Sequence, residues 1–331
     1  MKALLSRIAG GPETLRVESV PDPGMGPRQI LISIKACGVN FPDLLLIQDL
    51  YQAKAPRPFS PGAEVAGVVE DVGADVKGYT KGDHVVGRCG WGGMAEKIAL
   101  DADRCRRIPA TMPFEHAAAF LFTYVTSYYA LKSRGRLVAG ETVLVLGAAG
   151  GVGTAAIQIA KAMGARVIAA VSSENKLKFV REHGADDGLV YPAAVASDVE
   201  KRELSRSMKS LLGRSGADIV LDPVGGALSE VALRCIAERG RFLVLGFTAG
   251  IPLIPLNLPL LKSCDILGVN WRTLVLSQPE ENEANQKTLF EMYNRRLIAP
   301  VITETFPLDL GGEAIRRFQD RTVMGKMVVT I

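Results

Sequence analysis

Residues 142–164 constrain the fold more than any other stretch of the chain. Thr142-Val143-Leu144-Val145-Leu146 reads as a buried β-strand. The run Gly147-Ala148-Ala149-Gly150-Gly151-Val152-Gly153 leads straight from it into an apolar helix that Gly164 ends. A strand that feeds a helix through a glycine turn must find its next parallel partner by a crossover, and that requires a layered sheet with helices on both faces.

The following residues repeat the alternation. Strands are expected at 166–171, 188–191, 217–221, 241–245 and 265–269. Helices are expected at 174–183, 197–212, 227–237 and near 280–295. This is an α/β domain with a doubly wound parallel sheet. Residues 251–261, IPLIPLNLPLL, are apolar but broken by proline, so they cannot form one long helix. The first ~110 residues differ. Short Val- and Ile-rich runs at 29–36, 64–72 and 84–87 lie between Pro-Gly pairs and other turn residues, as in an irregular β-rich domain. Between the two regions, residues 113–134 read as a single long helix, with Pro113 at its start and Gly135 after its end.

Cysteine and histidine usage excludes several classes. The cysteines at 37, 89, 105, 235 and 264 form no CxxC pair and are odd in number, and no secretory leader is expected. Reduced cytoplasmic thiols are therefore expected rather than a disulfide framework. His84, His116 and His183 lie outside ligand spacing of one another, so no Cys/His zinc site is expected. The net charge of +4 is too small to suggest a nucleic-acid or membrane-surface protein. The basic run at 201–214, KRELSRSMKSLLGR, reads as a solvated helix face rather than an RNA surface. No apolar run is long enough to cross a membrane.

The glycine turn has the chemistry of a pyrophosphate cradle. Ala149, Gly150, Gly151, Val152 and Gly153 let the backbone approach closely, and the helix N-terminus offers free N–H groups and partial positive charge. The motif is not a strict GxGxxG, because Ala148 takes the first glycine position. Its place between a strand and a helix supplies the context that glycines alone lack. At the tip of the next strand, where an NAD-binding domain carries an acid for the ribose hydroxyls, stand Ser172 and Ser173, with Lys176 one turn on. Hydroxyls and an ammonium suit a 2′-phosphate, and so NADPH, although Glu174 adds an opposing charge. The alternative is that Ser173 only caps its helix and Lys176 is solvated.

LGAAGGVG at 146–153, VSSENKL at 171–177, LDPVGG at 221–226, GVNFPD at 38–43, PGAEVAGVV at 61–69 and the terminal GKMVVTI at 325–331 resemble the quinone oxidoreductase branch of the medium-chain dehydrogenase/reductase superfamily. The resemblance runs in register over the whole chain and is strongest to the zeta-crystallin-like NADPH:quinone oxidoreductases. It implies a GroES-like β-rich domain over residues 1–122 and an NADP(H)-binding Rossmann domain over 123–264. Residues 265–331 would hold the last Rossmann strands and the return to the first domain, with the active-site cleft between the domains.

In the zinc-dependent members of that superfamily three residues hold catalytic zinc. The corresponding positions here are Asn40, Ala63 and Phe122, and the structural zinc loop retains only Cys89. The resemblance thus implies no metal. Without a Lewis acid, alcohol oxidation gives way to hydride transfer onto an acceptor that is already electrophilic. Asn40 is the first candidate for orienting or polarising that acceptor, against a plain role in the turn. Tyr51 offers a phenol to substrate or merely packs. Asp43 matches an acid behind the metal and completes the catalytic candidates, against a structural role here.

The resemblance also places Thr126 near the nicotinamide and Tyr191 near the adenosine phosphate. Backbone groups of Gly246, Phe247 and Thr248 would lie at the carboxamide, and Lys326 would reach the cofactor. Arg272 would meet an acidic group of the substrate. The implied activity is an NADPH-dependent hydride transfer to a small-molecule quinone by a homodimer paired through its sheet edges, with residues 251–269 at the contact. The alternatives are reduction of the C=C bond of an enone or enoyl substrate, and a noncatalytic NADPH- or RNA-binding role.

Overall fold

The computed structural model describes residues 1–192, 195 and 197–331. The chain forms two compact units. Met1–Phe122 joins Pro300–Ile331 in the first, and Thr123–Ala299 makes the second.

In the first unit, β1 (Lys2–Leu5) pairs antiparallel with β2 (Arg16–Ser19). The main sheet is built from β3 (Gln29–Val39), β4 (Glu64–Val72), β5 (His84–Arg88), β6 (Lys97–Asp101) and β7 (Cys105–Arg107). Strands β14 (Ile302–Pro307) and β15 (Lys326–Thr330) come back to it from the end of the chain. Among the described residues its order is β14-β15-β3-β4-β5-β7, with β6 also on β3. The sequence of β3 explains its central place. Ile30, Ile32 and Ile34 alternate inward along its first half, while Cys37, Gly38 and Val39 are buried together at its end. There β15 pairs antiparallel with β3 and sets Met327 opposite Val39. The helix Phe41–Ile47 follows directly.

In the second unit, the strands are β8 (Thr142–Leu146), β9 (Arg166–Val171), β10 (Asp187–Val190), β11 (Ala217–Asp222), β12 (Ile236–Val244) and β13 (Asp265–Gly268). Among the described residues they form a wholly parallel sheet of order β10-β9-β8-β11-β12-β13. The order reverses between β8 and β11, which is where open α/β sheets bind ligands. Its middle strands are apolar on both faces, as covered parallel strands require. The expected doubly wound α/β architecture beside a GroES-like β-rich unit is what the chain adopts.

Two local expectations need correction. Residues 113–134 do not form one regular helix. An α-helix covers Phe114–Ala118, and after it wide turns at Leu121–Val125 and Tyr129–Arg134 flank a short α-turn at Thr126–Tyr128. The interruption has a partner, because the Phe122 N–H donates to the buried Glu64 Oε2 at 2.9 Å. Residues 227–237 do not form one helix either. The helix is Gly226–Leu233, and β12 begins at Ile236 because the Ala217 N–H takes the Cys235 carbonyl and draws this segment into the ladder. The proline-broken stretch carries a short helix, Asn257–Lys262, and a further helix, Trp271–Ser277, precedes Pro279–Asn294.

Candidate active site

The C-terminal ends of the parallel strands gather the cofactor candidates of the second unit. After Leu146 the chain turns through Gly147 at φ +56, and Gly150 caps the helix Gly151–Ala162. The Thr154 N–H already bonds the Gly150 carbonyl at 2.8 Å, so the helix-end donors before it point outward. No acid stands in this first turn. A Cβ on Gly150 would meet only the Gly147 carbonyl, at 3.6 Å, so the approach to the turn is open. A Cβ on Gly153 would lie 2.5 Å from the Ala148 oxygen, so this glycine packs the helix onto the turn. The Ser127 hydroxyl donates to the Val152 carbonyl at 3.0 Å and fixes the neighbouring segment, where Thr126 is half-buried.

At the tip of β9, the Ser173 hydroxyl accepts the Lys176 N–H, so Ser173 does cap its helix. The Lys176 ammonium lies 3.3 Å from the Ser172 hydroxyl. Burial pulls the Lys176 pKa down, since a half-buried ammonium has lost part of its hydration. Tyr191 extends β10 by donating its N–H to the Val171 carbonyl. Across the switch point, Asp222 holds the LDPVGG turn. One oxygen accepts the N–H groups of Val224 and Gly225 and the other accepts the Ser229 hydroxyl, while burial pushes its pKa up. The N–H groups of Leu245 and Gly246 bond the Asp222 carbonyl, which leads to the exposed Phe247 and to Thr248. Asn270 caps the helix that carries Arg272 by accepting its N–H at 3.0 Å.

The first unit holds a buried polar cluster. Lys326 is 3% exposed, and its ammonium donates to the Asn40 Oδ1 at 2.8 Å, the Glu64 Oε1 at 2.9 Å and the Val39 carbonyl at 3.1 Å. All three ammonium protons are thus engaged inside this unit. Asn40 is buried too. Its Nδ2 donates to Glu64 Oε1 at 3.0 Å and to the Gly38 carbonyl at 3.3 Å. One amide orientation alone puts oxygen toward the ammonium and nitrogen toward the carboxylate, so the two charges fix it.

Asp43 lies behind Asn40. Its carboxylate is 1% exposed and accepts the Asn40 N–H at 2.8 Å and the Gly62 N–H at 3.1 Å. It braces the turn behind Asn40, and burial pushes its pKa up to about 7. Tyr51 packs half-buried against the core of this unit. Burial raises the Cys37 and Cys89 thiols, so neither is a thiolate nucleophile at neutral pH.

Sequence reasoning missed the role of Glu64, and with it the ion-pair partner of Lys326. The available signal was a carboxylate opening the apolar run EVAGVV and a lysine opening the apolar KMVV, since a charge within a buried strand demands a counter-charge. Among the described residues no group of three or more His, Cys, Asp or Glu side chains is arranged to hold a metal ion.

Comparison with known proteins is consistent with this architecture. The alcohol dehydrogenase GroES-like domain family matches residues 26–110, and the zinc-binding dehydrogenase family matches residues 151–288. The quinone oxidoreductase-like protein 2 homolog of Nematostella vectensis is 37% identical over 92% of this chain and 82% of its own length. The chain belongs to the quinone oxidoreductase branch of the medium-chain dehydrogenase/reductase superfamily. Escherichia coli quinone oxidoreductase, solved complexed with NADPH, superposes on this member at a TM-score of 0.91 with 27% identity, covering all of both chains. A mycobacterial protein solved complexed with NADPH gives a TM-score of 0.91 with 30% identity, also over all of both chains. As a quinone oxidoreductase-type protein, the chain is an oxidoreductase.

Proposed function

We propose that this protein is an NADPH-dependent reductase that transfers hydride to a quinone without zinc. The observation that carries this reading is the pair of features at the C-terminal ends of neighbouring strands: an open glycine turn on a helix N-terminus and, one strand over, Ser172 and Lys176 where an acid would select NAD. The helix N–H groups before Thr154 would take the pyrophosphate, and Ser172, Ser173 and Lys176 the 2′-phosphate. Thr126, Tyr191 and the backbone of Gly246, Phe247 and Thr248 would border the rest of the cofactor. When bound, NADPH supplies the hydride, and with one proton from solvent the quinone becomes a hydroquinone.

The buried cluster bears on the metal. Asn40, Ala63 and Phe122 stand at the positions that hold zinc in the zinc-dependent relatives, and the fixed positive charge beside Asn40 is the Lys326 ammonium. An acceptor that needs no Lewis acid suits such a site. Asn40 would border the acceptor while the Lys326–Glu64 pair holds its amide in one orientation. The five free thiols suit a reducing compartment such as the cytoplasm. The unpaired edge of β13, with exposed leucines in the chain just before it, suits a homodimer.

The test is NADPH oxidation with a panel of quinones, alkenals and enoyl thioesters, repeated with NADH and after chelation, with bound metal measured. Quinone turnover with a strong NADPH preference and no chelator effect is expected. Turnover of enoyl or enone substrates alone would move the reading to C=C reduction. Stoichiometric zinc whose removal abolishes turnover would overturn the metal-free mechanism.

A further inference from the structure

The N-terminal ends of the second unit's strands, opposite the phosphate turn, carry a separate concentration of positive charge. Where the helix Asp198–Leu212 ends and β11 and β12 begin, a cavity of about 520 Å³ is lined by Arg206, Lys209, Arg214, Arg234 and Lys262 and by no carboxylate. Among the described residues, Arg206, Lys209, Arg214 and Lys262 make no ion pair, and only Arg234 has one, sharing Glu230 with Lys201. Elsewhere in the same unit, cations such as Arg241 and Lys161 are matched by carboxylates within hydrogen-bonding distance.

The helix C-terminus does not account for this. It presents roughly half a negative charge, against which five formal positive charges converge. The cations come from separate segments, and the fields of Lys209, Lys262 and Arg234 all reach the Cys235 thiol, where they oppose the effect of its burial. Among the lining residues, Gly213 turns at φ +79 with nothing within 4 Å of a Cβ position, so the cavity is open there. Arginine forks and ammonium groups around an open cavity match the oxygen-rich, multiply charged surface of linked phosphates.

We propose that this cavity is an anion site for a small soluble molecule bearing two or more linked phosphates, distinct from the cofactor turn at the opposite ends of the strands. Occupation would relieve the mutual repulsion of the cations and so stabilise the second unit. The site is independent of the reaction assigned above, because none of its residues belongs to the cofactor-binding set.

The full-length protein, saturated with NADPH, is titrated calorimetrically at low ionic strength with inorganic tripolyphosphate and, separately, with uridine triphosphate. One-to-one binding of at least one of them is expected, and the tighter of the two tells whether the phosphates are free or borne by a nucleoside. The K209Q/R214Q/K262Q variant should bind roughly tenfold or more weakly while keeping NADPH oxidation and an unchanged or slightly raised unfolding midpoint. Lys176→Ala should leave the binding unaltered. If the triple variant fails to fold, Arg214→Gln alone, on the exposed turn after the helix, must still weaken binding. No binding with NADPH present, equal binding by the variants, or retention of RNA without retention of either small anion would overturn the proposal.

Discussion

Lys326 and Glu64 lie 262 positions apart and form a 2.9 Å ion pair whose side chains are 4% and 0% exposed. Glu64 also accepts the Phe122 N–H, and Lys326 also holds Asn40, so one pair ties four segments of the first unit together. Breaking such a pair leaves an uncompensated buried charge. Lys326→Met should lower unfolding free energy by about 3–5 kcal/mol in urea titrations. The double variant Lys326→Met, Glu64→Gln should recover at least half of that loss, because the orphaned charge is gone and the Phe122 N–H keeps an acceptor. A double variant no more stable than the single one would mean that packing, not charge, dominates here.

Coenzyme choice should follow the tip of β9. A charge-assisted hydrogen bond contributes about 1.5–3 kcal/mol, so Lys176→Ala should raise the KM for NADPH by roughly tenfold or more and leave NADH kinetics little changed. Ser172→Asp should do more, by placing a carboxylate where the 2′-phosphate would sit and where NAD-binding domains carry their acid. Steady-state kinetics with the two coenzymes decide this. Equal losses for both would place the 2′-phosphate elsewhere.

The parts of this molecule that were legible in the sequence are local. The strand, glycine turn and helix at 142–163 are encoded by adjacent residues whose period and turn chemistry agree, and the parallel sheet follows from repeating that unit. The reading failed where a long-range partner overrides local preference. Residues 113–134 look helical by composition, but the Phe122 N–H leaves the helical ladder for a carboxylate 58 positions away. Lys326 looks like a surface lysine near a chain end, and only the return of β15 beside β3 brings it to Glu64. The position of Asn40 was visible through family resemblance. What holds its amide was not, because the two charges come from other strands.

Asp43 gives the protein a pH dependence of a particular sign. Its folded-state pKa is about 7 against an ordinary 3.8, because burial disfavours the carboxylate. Between those values the folded chain holds a proton that the unfolded chain has lost. The stabilisation is complete below the lower value and fades as pH rises through the upper one, at a slope of up to about 1.4 kcal/mol per pH unit from this single group. Denaturation from pH 5 to pH 8 should therefore show wild type losing stability relative to Asp43→Asn, with the difference levelling off above neutrality. A difference constant over the range would mean that Asp43 stays ionised throughout, held by the Asn40 and Gly62 N–H groups.

The edge strand β13 bears on assembly. In the chain leading up to it, Ile251, Leu253, Leu256 and Leu260 are 80%, 90%, 78% and 78% exposed. Fully burying one such side chain contributes about 1.5–3 kcal/mol, and an unpaired strand edge adds hydrogen bonds to whatever covers it. A second copy of the chain, meeting the first edge to edge, would satisfy both at once and close with two-fold symmetry. Light scattering after size exclusion should give a dimer for the wild type and a monomer for the Leu253→Lys, Leu260→Lys variant. Because both side chains already face solvent within one chain, the variant monomer should keep its fold by circular dichroism. A wild type that stays monomeric at high protein concentration would leave this leucine-rich edge to a different partner.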